Sequence, residues 1–94
     1  MNKVIVKITN ADYYDTVSIF VDGVPYGKKQ GNNTFEIPIT NGEHSIHGIY
    51  DNVEPDFEGI SHALNPIVFS VADKDVNFEV RISNIYSGAK LLKV

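Results

Sequence analysis

Apolar and polar residues alternate along most of this chain with a period of two. Val17, Ile19 and Val21 form one such run, and Phe35, Ile37 and Ile39 form another. Successive side chains of a β-strand point to opposite faces of a sheet, so each run presents one apolar and one polar face. The first run meets Asp22-Gly23 and the second meets Asn41-Gly42. Both dipeptides favour the positive φ angles of a tight turn, so residues 16–50 predict two successive hairpins.

The same pattern extends to either side. Residues 3–9 place Val4, Val6 and Ile8 on one face, with Lys3, Ile5, Lys7 and Thr9 on the other. The polar and aromatic run 10–15 has no period and predicts a connection. Pro25 has no N–H for a ladder, so residues 24–27 predict a short edge strand. The charged, Gly- and Asn-bearing stretch 28–33 predicts an exposed, mobile loop. Pro38 faces outward from the strand at 34–40, which puts that strand at an edge or a bulge. Residues 43–50 return as its hairpin partner, with His44, Ile46, Gly48 and Tyr50 sharing a face.

Residues 51–65 are the longest stretch without a period, with residues 60–64 closing a short turn inside it. Strands follow at 67–72 and 75–83 around a tight turn at Asp73-Lys74, and a last short strand spans 89–94. No segment carries a helical period. About seven short strands, spaced by roughly 8–12 residues, predict an all-β, antiparallel immunoglobulin-like β-sandwich, with an open barrel as the other arrangement.

Composition narrows the function classes. Ninety-four residues make one domain, 1–94, and the absence of cysteine removes both disulfides and thiolate metal sites. Net charge is −4, and the lysines are scattered apart from Lys28-Lys29. That argues against nucleic acid, which needs a basic footprint, and against an anionic membrane surface. No apolar run approaches the roughly 20 residues of a membrane-spanning helix. The first ten residues lack the apolar block of a signal peptide, so the expected location is the cytoplasm, or the envelope or exterior if an export signal once preceded Met1.

Candidate chemistry is sparse. His44 and His47 lie three apart on a strand, which puts them on opposite faces and prevents them from sharing an ion. Ser61 and His62 with Asp51 or Asp56 lack the strained turn of a nucleophile elbow. Gly27 and Gly31 precede no helix, so there is no phosphate loop. Asp51, Asn52, Glu54, Asp56 and Glu58 offer the hard oxygens that calcium takes, without the spacing of an EF-hand. Tyr13, Tyr14 and Tyr86 fall in connections, where a phenol ring stacks on a sugar or anchors a partner. No catalytic residue, cofactor or resident metal is assigned.

The central block, Val17-Ser18-Ile19-Phe20-Val21-Asp22-Gly23, then Phe35-Glu36-Ile37-Pro38-Ile39, then Asn41-Gly42-Glu43-His44-Ser45-Ile46, resembles the PEGA-type bacterial domains. The close of the chain, Ile67-Val68-Phe69-Ser70-Val71 with Val76-Asn77-Phe78-Glu79-Val80, is similar to small bacterial proteins on that plan. Thr40-Asn41-Gly42-Glu43 stands where the family has its Pro-Glu-Gly-Ala. The resemblance implies a small β-sandwich without catalytic residues, used for binding or spacing at the cell envelope.

The expected function is therefore a non-enzymatic interaction module, acting through loops or an edge strand on a protein partner or on itself. Tyr13, Tyr14, Asp51, Glu54, Asp56, Glu58 and Tyr86 are its candidate contacts. The alternative is a carbohydrate- or calcium-binding accessory domain. Residues 89–94 form the least protected edge, apolar at alternate positions and free of proline, which predicts strand addition in a symmetric dimer.

Overall fold

A computed structural model describes residues 2–55, 60–84 and 88–94. Among them the chain forms nine strands and no helix: β1 (Asn2–Thr9), β2 (Asp15–Val21), β3 (Val24–Gln30), β4 (Thr34–Ile39), β5 (Gly42–Asn52), β6 (Ile60–Ala63), β7 (Ile67–Val71), β8 (Val76–Asn84) and β9 (Gly88–Lys93). They make two sheets. One has the order β4-β1-β8-β9; the other runs β3-β2-β5-β6, with β7 also paired to β5. The pairing of β1 with β8 is parallel and every other pairing is antiparallel.

The alternating runs bury the faces that their period predicts. Val4, Val6, Ile8, Phe35, Ile37, Ile39, Phe78, Val80, Ile82 and Leu91 face inward from the first sheet. Val17, Ile19, Val21, Ile46, Tyr50, Phe69 and Val71 meet them from the second, and all belong to one core cluster. Phe69 and Phe78 close the gap between sheets edge to face, with ring centroids 5.0 Å apart. At Asp22 and Gly23 φ is 52° and 78°, and Val21 pairs with Val24, so the first expected hairpin forms with a two-residue turn.

Four expectations are corrected. The sandwich is not purely antiparallel, because β1 and β8 pair in parallel. The described residues form nine strands rather than about seven, β6 among them on residues read as a turn within an irregular loop. β6 and β7 pair with successive halves of β5, at Ile49–Asn52 and Gly42–Ile46, and so fill one position in the sheet, interrupted near Pro66. Residues 28–30 are not a loop but continue β3, paired as Ser18 with Lys28, Val17 with Lys29 and Thr16 with Gln30. This strand lies at an edge and is exposed at all positions but one, so it carries no apolar alternation to reveal it.

Asn41-Gly42 is not a hairpin turn either. β4 lies in one sheet and β5 in the other, so the dipeptide carries the chain across the sandwich. A type I′ turn needs positive φ at both central residues; Gly42 has it, at 117°, and Asn41 does not. The Asn41 side chain is engaged elsewhere. Its Nδ2 donates to Asp73 Oδ1 at 2.8 Å, and its Oδ1 accepts from the Asp73 N–H at 2.9 Å and from Asn2 Nδ2 at 2.8 Å. Two of the connections that cross between the sheets, 40–41 and 72–75, are thereby tied to each other.

Candidate functional site: the sandwich ends and its open edges

At one end of the sandwich the connections 10–14, 31–33 and 53–55 converge with the end of β8. Asp12 and Asp15 fold the first of these on itself. The Tyr14 N–H donates to Asp12 Oδ1 at 3.0 Å, and the Asp12 N–H donates to Asp15 Oδ2 at 2.9 Å. Asn10, with φ 60°, donates from Nδ2 to the Ile82 carbonyl at 2.7 Å. The result is a cleft of about 630 Å³ lined by Asn10, Asp12, Asp15, Asn32, Glu54 and Ser83, among others.

Below the cleft lies a buried polar network. Asp15 is 4 % exposed. Its Oδ1 accepts from the Tyr50 hydroxyl at 2.5 Å and from Asn52 Nδ2 at 3.0 Å. Burial, and then the Asp15 hydrogen bond, push the Tyr50 phenol well above its ordinary range, so it remains a donor. A carboxylate only accepts, and its three donors here are what a buried acid needs.

The opposite end has its own clamp. His44 Nδ1 lies 2.6 Å from Asp22 Oδ2, and Nε2 lies 2.8 Å from the Thr40 carbonyl. Both partners are acceptors, so both ring nitrogens must carry protons to satisfy them, which favours the imidazolium. The Asp22 carboxylate accordingly raises the His44 pKa, and the His44 hydrogen bond lowers that of Asp22, assisted by the Ser45 N–H. Thr40 follows β4 and Asp22 follows β2, so this clamp bridges the two sheets.

The candidate contacts disperse. Tyr13 is 73 % exposed and meets Tyr14 edge to face at 5.1 Å, beside the end cleft rather than in it. Glu54 lines the cleft. Asp51 instead sits on the outer face of β5, 3.5 Å from Lys28. Asp56, Glu58 and Tyr86 lie outside the described residues. Among the described residues no three His, Cys, Asp or Glu side chains are placed to hold a metal ion.

The register also separates the other candidates. His47 stacks flat on Phe20, centroids 4.8 Å apart, on the outer face, away from His44. Ser61 pairs with Asp51 and His62 with Tyr50, so serine and histidine point to opposite faces. Asp12, Asp15, Asn32 and Ser83 were not expected in a common site. They come from segments far apart in sequence, and only the crossing connections unite them.

The sandwich has four open edge positions, and three are blunted. β3 carries Pro25, and its register with β2 shifts between Ser18 and Phe20. β4 carries Pro38 opposite Lys3. The β6 and β7 position is broken at 64–66. β9 pairs with β8 from residue 88 to residue 93, with a register shift between Ile82 and Asn84 at its start, and has no strand paired on its other side among the described residues. Proline, bulges, interruptions and charged side chains are the usual devices that stop an edge from pairing; β9 carries Lys90 and Lys93, but no proline, bulge or break interrupts residues 89–93.

Comparisons of the chain with family models, with curated proteins and with solved structures give no match.

Proposed function

We propose that the protein is a non-enzymatic interaction module that takes up an extended protein segment along the outer edge of β9. The observation that carries this reading is the contrast among edges: proline or a break interrupts the other three, and residues 89–93 of β9 run without either. Strand addition supplies affinity through main-chain hydrogen bonds and specificity through alternate side chains. The resemblance to PEGA-type domains supports a binding or spacing role, and the module's relation to immunoglobulin-like sandwiches is one of layered architecture. Constant-type immunoglobulin domains hold their first two strands in one sheet, whereas β1 and β2 here lie in opposite sheets.

The test is selection of displayed random peptides on the folded protein. Selected peptides should bind wild type and lose at least tenfold in affinity against Lys93→Pro, which removes an edge N–H. Peptides that bind both proteins equally would place the site elsewhere. A second reading, a carbohydrate-binding accessory role, rests on the end cleft and the polar side chains of Asn10, Asp12, Asn32 and Glu54 that line it. A rise in Tm with one member of a panel of oligosaccharides would favour it.

A further inference from the structure

The backbone of β9 states which of its groups are free. The Val94 N–H donates to the Asn77 carbonyl at 2.9 Å, which fixes the phase of the β8–β9 ladder. In an antiparallel pair, hydrogen-bonded and non-bonded positions alternate. Asn77, Glu79 and Arg81 therefore bond to Val94, Leu92 and Lys90, in the observed register. Ala89, Leu91 and Lys93 turn their N–H and C=O groups away from β8, toward the open edge.

We propose that the segment laid on this edge is the β9 of a second copy, antiparallel and centred on Leu91. The inference rests on the edge reading above and names its occupant. Centring on Leu91 sets Ala89 of one copy opposite Lys93 of the other and Leu91 opposite Leu91, so every outward N–H and C=O of the three residues is paired. Moving the centre to Lys90 or Leu92 leaves only one bonded pair and its symmetry mate within the described strand. Centring on Lys90 also sets lysine against lysine, and like charges directly opposite are destabilising. In the Leu91 register Lys90 faces Leu92 and Lys93 faces Ala89, so neither lysine meets another. A twofold arrangement closes after two copies, joining two four-stranded sheets into one of eight strands.

The chain has no cysteine, so introduced thiols report this geometry alone. In the proposed register positions 90 and 92 are directly opposed at a non-bonded pair, where Cα atoms lie about 4.5 Å apart. Position 90 lies about 8 Å from its own copy, as does 92, beyond disulfide reach. Mixing Lys90→Cys with Leu92→Cys under mild oxidation should give a covalent dimer, while either variant alone gives little. Sedimentation of wild type should show twice the chain mass at high micromolar concentration, with association at least tenfold weaker for Lys93→Pro of unchanged circular dichroism. Cross-linking of either single variant as readily as the mixture overturns the register. A wild type that stays monomeric and a mixture that does not cross-link overturn the second copy. If peptides sensitive to Lys93→Pro still bind in that case, the edge reading survives without this occupant; if none bind, both fall.

Discussion

Replacing Gly48 with alanine should destabilise the sandwich by about 2–3 kcal/mol, although nothing in the local backbone conformation demands glycine there. Gly48 lies on the inward row of β5 between Ile46 and Tyr50 and pairs with Ile19 of β2. A Cβ at this position would lie 2.5 Å from the Ser18 carbonyl oxygen, 3.0 Å from Leu64 Cδ1 and 3.2 Å from Ile19 Cδ1. Ordinary contact begins near 3.4 Å, so β2 and β5 would have to part by nearly 1 Å at the Ser18 contact. A side chain can rotate away from such a clash; a ladder carbonyl cannot.

Overpacking of this kind costs about 1–3 kcal/mol, and the backbone partner puts the cost at the top of that range. The opposing term is the lower chain entropy of unfolded alanine, about 0.4–1 kcal/mol in favour of the variant. For a domain of this size the net loss corresponds to a fall in Tm of roughly 10–20 °C. Reversible urea unfolding followed by circular dichroism measures it directly. Leu64→Val supplies the control: if Ser18 dominates, the cost of Gly48→Ala persists in that background within about 0.5 kcal/mol. A Gly48→Ala protein as stable as wild type, or more so, would refute the close-approach argument.

Tyr50→Phe removes a hydroxyl donor from a buried carboxylate and should cost about 1–3 kcal/mol in the same urea assay, with the cleft end losing amide protection first. The His44 clamp predicts a pH dependence. Asp22 raises the His44 pKa, so this contribution is complete below the ordinary imidazole value near 6.5 and is lost as pH rises through the folded value above it. The Asp22 pKa is lowered, so the same pair also weakens as pH falls through the folded value, below the ordinary 3.8. With the Asp22 side chain 47 % exposed, the effect is about 1 kcal/mol; His44→Asn should flatten the Tm profile between pH 5.5 and 9. Asn41→Ala should cost about 1 kcal/mol by untying the two crossovers, and hydrogen exchange at the Asp73 amide should quicken in step.

Facing was legible in the sequence, and partnership was not. Val4, Val6, Ile8, Phe78, Val80 and Ile82 alternate in sequence and are buried in the fold because period two reports only which side of a sheet a residue occupies. It says nothing about which sheet. Asn41-Gly42 has the composition of a hairpin turn and serves as a crossover, since its partner strands were fixed by long-range pairing of β1 with β4 and of β2 with β5. β3 escaped in part because both of its faces are solvated, leaving no contrast to read. The end cleft was not legible as a set: Asn10 and Asn32 are ordinary loop polars, and Ser83 a polar residue near the end of β8, until three connections meet. Asp15 shows the same limit, since only the register that sets it beside Asn52 reveals a buried acid with three donors.

The strand that organises the sandwich is β5. Its residues 46–52 pair with β2 along one side, and residues 42–46 and 49–52 pair with β7 and β6 along the other. Each of its ends carries a polar fastening: His44 to Asp22 and Thr40 at the start, Tyr50 and Asn52 to Asp15 at the finish. A small domain without disulfides has a thin margin from its core, and fixed hydrogen-bonded ends restrain the register slips to which short strands are prone. In the other sheet the parallel pair β1 and β8 holds the centre, and β9 is paired with β8 alone, while its Leu91 sits in the core and its Gly88 packs against His62 of β6. Register is thus fixed from both sides at β5 and from one side at β9. One-sided pairing is shared by β3 and β4, but those carry proline, so strand addition is proposed at β9.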